Sequence, residues 1–421
     1  MDTKIIYDKV IGIIDQDRQD LLDLCILLGN THDYHGEEME VAGVTVNWLK
    51  ENGIQAQVQP ITETSANAVG FLPGTSNGTS LIFNAHLDAG GPPPPDAPDS
   101  EWKMRSAWVE GDMLYGKGLI NDKAQLCAEM IAARAILNAG IALKGDLTII
   151  GVASETGEAS VDDKQGIQYP GEGFGTKWSI DRGVVADFAL VGETSEFGIV
   201  AAECGDVRVK IKVKGRRVYT PRLDRGTTLQ QNPNPHLRGA HVALALEDWA
   251  IRYEKENPLE FYGGTIVPKA QLLGIQSSVD NCYIYLDIRT VPGANPVDLL
   301  KQIKDVTRTT GLDCDVDIYQ FNRGYIAQNA DPLINAVKEA HRYILKSDPV
   351  DPPSRVISMW RDLNDYNEVG IPSICYGPGR QTEAMTNAQN RAMLVEDLLT
   401  ATKVYALTAM LLCGIDQSEG G

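Results

Sequence analysis

Apolar segments that end in acidic or histidine side chains recur along the first half of the chain. TSLIFNAHLDAG, GDLTIIGVASE and VVADFALVGET each predict a buried strand, and they lead to His86, Glu155 and Glu193. Between the first two, NDKAQLCAEMIAARAILNAG predicts a helix that stops at a glycine. Strands that alternate with helices predict an α/β fold, in which a mostly parallel sheet is flanked by helices. Functional groups in such sheets gather beyond the carboxyl ends of the strands.

A different pattern begins near residue 206. The segment DVRVKIKVKG alternates apolar and charged residues, as a half-exposed antiparallel strand does, and further helices and strands follow it. We therefore predict an inserted α+β domain over residues 206–322. The larger domain then comprises residues 1–205 and 323–421, and it ends in a helix.

Charge and composition exclude several classes of function. The 421 residues carry a net charge of −19, and such a negative surface repels phosphate backbones, so nucleic acid is not an expected partner. No run of about 18 apolar residues predicts a membrane span, and the N-terminus does not resemble a signal peptide. The seven scattered cysteines contain no CxxC pair, which favours reduced thiols and a cytoplasmic location.

One imidazole and two carboxylates are candidate metal ligands. His86 and Glu193 follow predicted strands, and Asp122 opens the predicted helix, a donor set that suits Zn²⁺, Mn²⁺, Fe²⁺ or Co²⁺. Asp88 is expected to bond the second ring nitrogen of His86, and Glu155 to act as general base on water. Each residue alone has an ordinary alternative, such as a core histidine, a helix N-cap or a surface acid. Their shared position at the ends of successive elements favours a site.

Four motifs resemble those of the M20 peptidase family, which includes carboxypeptidases, aminoacylases and deacetylases. They are, in order, NAHLDAG, YGKGLINDKAQLCAEMIAA, ASETGEAS and VGETSEFGIV. SSVDNCYIYLDIRTVPG resembles the lid-domain signature of that family, and YGPG the loop before its last ligand. The resemblance spans about residues 20–410 and implies an M20-type catalytic domain with an inserted lid and dimerisation domain. It also implies two metal ions bridged by Asp122, the first of them bound by His86 and Glu193 as well.

The ligands that the family uses for its second ion are absent from this sequence. Thr156 stands where the family has an acid after the catalytic glutamate, and Met385 stands in place of the C-terminal histidine. A hydroxyl and a thioether are poor ligands for a hard ion. Because both losses affect the same ion, we predict one divalent transition metal ion per subunit, Mn, Zn, Fe or Co.

The lid also departs from the family pattern. Tyr219 replaces the lid histidine, which in the family polarises the scissile carbonyl of a substrate bound to a neighbouring subunit. Arg289 matches the arginine that binds the substrate carboxylate, and Asn281 matches an asparagine that contacts substrate. The alternative for Arg289 is a salt bridge within the lid. The resemblance implies a small carboxylated substrate and a homo-oligomer formed through the lid domain.

One ion and a glutamate base can still activate water, but the second electrophile for an amide oxygen is lost. We therefore expect a reaction in which negative charge moves into the substrate itself. Thr156, Tyr219 and Met385 resemble the pattern of an unusual M20 relative. This resemblance implies hydrolytic deamination of 5-nitroanthranilate to 5-nitrosalicylate by nucleophilic aromatic substitution.

Thr156, Met385 and Arg380 are expected to line the substrate pocket, and Arg217, Arg222 and Arg361 are further candidates to contact a nitro group or carboxylate. Two alternatives stay open. One is an M20 amidohydrolase that cleaves N-acyl amino acids or dipeptides. The other is a non-catalytic relative that binds a carboxylated ligand.

Overall fold

The computed structural model of the protein describes residues 3–162, 169–261, 264–379 and 391–416. The chain divides into two compact units, each with its own core. The first unit comprises Met1–Ala201, Ala327–Pro352 and Arg361–Gly421. The second unit comprises Ala202–Ile326 and Pro353–Trp360.

Helices and strands alternate through most of the described ranges. The helices are α1 (Thr3–Gln16), α2 (Arg18–Gly29), α3 (Met39–Glu51), α4 (Asp99–Met104), α5 (Ala124–Asn138), α6 (Phe174–Ile180), α7 (Pro235–Glu256), α8 (Pro296–Thr309), α9 (Asp331–Leu345), α10 (Ser354–Ile357), α11 (Leu363–Glu368) and α12 (Val395–Cys413). The strands are β1 (Gln55–Pro60), β2 (Ala66–Leu72), β3 (Leu81–His86), β4 (Trp108–Glu110), β5 (Met113–Tyr115), β6 (Leu147–Val152), β7 (Phe188–Val191), β8 (Gly205–Lys214), β9 (Leu259–Phe261), β10 (Gly264–Ile266), β11 (Lys269–Ser277), β12 (Asn281–Thr290), β13 (Cys314–Asn322), β14 (Ser373–Cys375) and β15 (Ala392–Leu394).

The central sheet of the first unit has the strand order β1-β2-β6-β3-β7-β14. Strand β3 runs parallel to β6 and β7, and β7 runs parallel to β14, whereas β2 pairs antiparallel with both β1 and β6. Every residue of β3 and β6 is buried, which explains why both strands are mainly apolar. The predicted α/β fold with a mostly parallel sheet flanked by helices is confirmed.

Helix α5 is apolar on nearly all sides because other elements surround it. It packs against β3 and β6 of the sheet and against α1, α2 and α12. Its residues from Ala124 to Ile136 are all buried. A helix in this position is anchored along its whole length. The turn that precedes it, Leu119–Lys123, contacts β3, so the start of α5 lies beside that strand.

The second unit is built on an antiparallel sheet with the order β11-β12-β8-β13. Val207, Val209, Ile211 and Val213 of β8 point into its core, as the alternating pattern of that strand predicts. Helix α7 packs against β8, β11 and β12, and α8 packs against β13.

The second unit extends beyond both predicted ends of the insert, over Ala202–Ile326, and it also includes a separate segment. Residues Pro353–Trp360, which the sequence assigned to the catalytic domain, belong with the second unit. Hydrogen bonds tie this segment to the second unit, because the Cys204 N–H donates to the carbonyl of Met359 and the Val267 N–H donates to the hydroxyl of Ser358. None of the helices in the described ranges has the length and apolar character needed to cross a membrane.

Candidate metal centre

Three buried side chains of the first unit converge beyond the carboxyl end of the sheet. His86 is the last residue of β3, Glu193 lies two residues after β7, and Asp122 lies in the turn before α5. One possible ligand atom from each residue lies within 4.8 Å of the others. The three residues that the sequence singled out as ligands are thus neighbours, because parallel strands end at the same edge of the sheet.

The ring of His86 is oriented for metal binding. Its Nδ1 lies 2.9 Å from the carbonyl oxygen of Asp88, which assigns the proton to Nδ1 and the lone pair to Nε2. In the part of the chain that the structure describes, the buried Nε2 has no hydrogen-bond partner, and it lies 3.9 Å from Glu193 Oε1. Burial lowers the pKa of His86, which favours the neutral imidazole that a metal requires.

Asp88 does bond the second ring nitrogen of His86, and it does so through its main-chain carbonyl, since its carboxylate oxygen Oδ1 lies 3.7 Å from that nitrogen. The carboxylate instead accepts hydrogen bonds from the Glu155 N–H at 3.0 Å and from the Thr156 N–H at 2.9 Å. Thr156 Oγ1 also donates to it at 2.6 Å. Burial alone would raise the pKa of Asp88, but His86, His35 and these bonds hold it below its usual value. Asp88 therefore fixes the turn that carries Glu155.

Glu193 is held by a buried arginine that the sequence offered as a substrate contact. Arg361 is 1% exposed, and its Nε lies 2.9 Å from Glu193 Oε2. Its Nη2 donates to the carbonyl of Thr194 at 3.1 Å. The guanidinium thus orients one ligand carboxylate, as groups behind a metal ligand commonly do. The expectation of a nitro or carboxylate contact for Arg361 finds no support in this arrangement.

Glu155, the predicted general base, is buried beside His86. Its Oε2 lies 3.7 Å from His86 Nε2. Burial raises the pKa of Glu155 well above its usual range, and the charges of Glu193, Asp362 and Asp88 raise it further. Burial likewise raises the pKa of Asp362. Such crowding of buried acids costs free energy without a counter-charge. The open His86 Nε2 and this cluster of carboxylates both fit a divalent cation.

The hydroxyl of Thr156 belongs to a hydrogen-bonded group that the sequence did not predict. His35, in the loop between α2 and α3, has its Nε2 2.7 Å from Thr156 Oγ1, and its ring stacks on Tyr169. The pair is 121 positions apart in the chain, so neither spacing nor periodicity could relate them. The only available signal was a histidine in a polar loop, which is common without any function.

The predicted lid residues lie in the second unit. Arg289 Nε is 3.1 Å from Asp287 Oδ1 and 3.5 Å from Asp206 Oδ1, which is the salt bridge named as the alternative. Asn281 begins β12, and Tyr219 is 72% exposed. Their substrate contacts stay predictions. Arg380 and Met385 lie outside the described residues.

Comparison with known proteins agrees with this geometry. The model of peptidase family M20/M25/M40 matches residues 82–411. An N-formyl-4-amino-5-aminomethyl-2-methylpyrimidine deformylase of Halalkalibacterium halodurans is 30% identical over 396 residues, which cover 85% of each chain.

Solved structures share the fold at low identity. Human carnosine dipeptidase 1 superposes with a TM-score of 0.68 at 13% identity, over 97% of this chain and 99% of that one. A dinuclear metal-binding peptidase of the M20 family from Bacillus subtilis has a TM-score of 0.61 at 14% identity, over 95% and 99% of the two chains. The chain is accordingly a member of peptidase family M20/M25/M40 and a metal-dependent hydrolase of C–N bonds.

Proposed function

We propose that this hydrolase works with one divalent transition metal ion and replaces the amine of a small carboxylated aromatic substrate by a hydroxyl group. The proposed reaction is the conversion of 5-nitroanthranilate and water into 5-nitrosalicylate and ammonia. The observation that carries the proposal is the difference between the three candidate ligands and Thr156. His86, Asp122 and Glu193 are grouped as one ligand set, while Thr156 gives its hydroxyl proton to Asp88.

The ligands favour a single ion held without help from Thr156. His86, Asp122 and Glu193 would hold the ion, which would lower the pKa of a water molecule and so supply a nucleophile near neutral pH. Glu155 accepts the proton of that water, since it is a buried carboxylate beside the candidate ligands. Glu155 then returns the proton to the departing amine, which leaves as ammonia.

The choice of an aromatic amine follows from charge. Attack on an amide puts a negative charge on one oxygen, and loss of a single donor to such an oxygen costs about 3–4 kcal/mol. Attack on a nitro-substituted ring sends the charge into the nitro group instead. A centre with one ion is therefore better suited to the ring than to the amide. Arg289 is proposed to bind the substrate carboxylate, because guanidinium groups bind carboxylates in pairs of hydrogen bonds.

A second candidate is hydrolysis of a formamide or another N-acyl group. It is favoured by the relative from Halalkalibacterium halodurans, which is named as a deformylase of N-formyl-4-amino-5-aminomethyl-2-methylpyrimidine. A formyl group is small, and its carbonyl would sit beside the same base. Under this reading Glu155 keeps its role, and only the atom attacked differs.

The two candidates separate in one assay. The protein is loaded with Mn²⁺ or Zn²⁺ and offered 5-nitroanthranilate, N-formyl aromatic amines and a panel of N-acyl amino acids. Ammonia from the nitroaromatic compound supports the first proposal, and formate or free amino acid supports the second. No product from any of them would contradict both.

Glu155→Gln provides the variant for the base, and Glu51→Gln, which changes an exposed glutamate of α3, is its matched control. Loss of the base is expected to lower kcat by about 10²–10⁴-fold. Full turnover by Glu155→Gln would refute the assigned role. Metal analysis of the same samples should give one ion per chain, and two ions per chain would contradict the single-ion centre.

We also propose that the chain forms a homo-oligomer through its second unit. Leu237, Leu244 and Ile251 of α7 are exposed and recur every seven residues, so they share one side of that helix. An apolar stripe of this kind is typical of an interface. Light scattering after size-exclusion chromatography should give a mass above that of one chain, and Leu244→Glu should lower it.

A further inference from the structure

A chain of hydrogen bonds in the first unit runs from His35 through Thr156 to Asp88. His35 Nε2 lies 2.7 Å from Thr156 Oγ1, and Thr156 Oγ1 lies 2.6 Å from Asp88 Oδ2. Asp88 Oδ1 in turn accepts the N–H of Glu155 at 3.0 Å. Asp88 and Glu155 are buried, and His35 is 13% exposed at its side chain.

The protons in this chain can be assigned from its geometry. Asp88 receives three donors, two from main-chain N–H groups and one from the threonine hydroxyl, so its oxygens act as acceptors. A hydroxyl has one proton to give. Since Thr156 gives that proton to Asp88, its oxygen must accept the proton on His35 Nε2. The contact therefore has one direction, from His35 through Thr156 to Asp88.

His35 is itself held in place by close packing. Its ring stacks on Tyr169 with 4.6 Å between centroids and 12° between planes. Tyr169 Oη also donates to the carbonyl of Thr156. His35 and Thr156 are therefore linked both directly and through Tyr169. On another side lies Gly157, whose φ is +87° and where an added Cβ would lie 2.7 Å from His35 Cε1. Only glycine fits there without moving the imidazole.

We propose that His35 is a positioning residue for the catalytic base, and that Thr156 is present because it can accept a proton from His35 while donating one to Asp88. This inference rests on the proposed role of Glu155. An acid at position 156 would only accept hydrogen bonds, and it would place a second negative charge beside Asp88 Oδ2. Thr156 therefore not only replaces an acidic metal ligand but also makes two hydrogen bonds of its own. It connects the loop of His35 to the turn that aims Glu155.

The first test uses paired variants of the two residues. His35→Leu and Thr156→Val each break the chain, whereas His35→Gln and Thr156→Ser keep a donor and a hydroxyl at about the same places. With whichever compound of the panel is turned over, His35→Leu and Thr156→Val should each lower kcat about 10–100-fold. The double variant should be little worse than either single one, because both remove the same interaction.

KM and the dissociation constant for Co²⁺ are expected to change by less than about threefold in these variants, since none of the changed residues binds the ion. His35→Gln and Thr156→Ser should recover most of kcat. His32→Gln is the control, because His32 lies in the same loop, is exposed and pairs with Glu37. Losses that multiply in the double variant would overturn the proposal, as would Co²⁺ affinity that falls as far as kcat does.

A spectroscopic test addresses the hydrogen bond directly. The chain has six histidines, so ¹⁵N labelling of histidine alone gives a simple imidazole N–H spectrum. A protected Nε2–H signal should be present in the wild type and in His32→Gln, absent in His35→Gln, and lost or strongly shifted in Thr156→Val. An unchanged signal in Thr156→Val would refute the assigned contact. If the proposed role of Glu155 is wrong, Glu155→Gln retains full turnover. That result does not depend on the histidine spectrum, so the two failures can be told apart.

Discussion

Removal of Arg361 should destabilise the first unit far more than removal of an exposed arginine. Arg361→Met keeps an unbranched side chain of similar reach and deletes the charge that faces Glu193 at 2.9 Å. Arg361 is 1% exposed, so water cannot take its place beside the carboxylate. The variant also leaves the carbonyl of Thr194 without this donor.

The magnitude follows from the burial of the pair. Breaking a buried ion pair by removing one partner costs about 3–5 kcal/mol, because the other charge is left buried. Arg342→Met is the matched control. Its Nε pairs with Asp348, but the two side chains are 59% and 69% exposed, and such pairs contribute about 0–1 kcal/mol. With a urea dependence of about 3 kcal/mol/M, Arg361→Met should lower the unfolding midpoint by roughly 1–1.7 M.

Urea unfolding of chelator-treated protein, followed by circular dichroism, measures this difference. Arg361→Met combined with Glu193→Gln tests its cause, because the double variant no longer buries an unpaired charge and should recover part of the loss. An effect of Arg361→Met as small as that of Arg342→Met would refute the reasoning. A double variant less stable than Arg361→Met would show that the unpaired carboxylate is not the source of the cost.

Three further outcomes are expected. Burial, with a contribution from the charge of Asp88, raises the pKa of Glu38 to about 7, so the folded protein binds this proton more tightly than the unfolded chain does. The stability that this proton contributes is complete below about pH 4.5 and is lost as the pH rises to about 7, by an amount on the order of 3 kcal/mol. Glu38→Gln should therefore gain stability relative to wild type between pH 5 and pH 8 in thermal unfolding, and a constant difference would contradict the shift. Removal of metal by a chelator should lower the unfolding temperature of the wild type, since an ion at about 100 times its Kd stabilises by about 2.7 kcal/mol, and His86→Ala should not respond. Gly12→Ala, in α1 where an added Cβ meets no atom within 4 Å, should stabilise the protein by roughly 0.5–1 kcal/mol in urea unfolding, and a loss of stability would show a contact that the structure lacks.

Local patterns in the sequence were enough to predict the fold. Buried strands of a parallel sheet are mainly apolar, and LTIIGV and LIFNAH have this character despite Thr148, Asn84 and His86. Strand β8 alternates apolar and charged residues, and this difference separates the inserted domain from the larger one. The order of the elements then places the ends of β3, β6 and β7 at one edge. His86 and Glu193 could be grouped for that reason alone.

The groups behind the ligands could not be predicted in the same way. Arg361 and Glu193 are far apart in the chain, and an arginine in a polar segment has no pattern that distinguishes a buried partner from a substrate contact. Asp88 is two residues after His86, yet its carbonyl faces the ring and its carboxylate faces the Glu155 turn. The direction of a side chain depends on the donors around it, and those donors come from other elements.

The sequence by itself determined the two-unit α/β architecture, the family and the three candidate ligands, because strand periodicity and the ends of parallel strands are properties of short segments. Only the tertiary structure decided which groups hold those residues. The contacts of Arg361 with Glu193, and of His35 with Thr156, join segments that are distant in the chain. Such contacts depend on how the loops fold over the sheet, which no local pattern of hydrophobic and polar residues records.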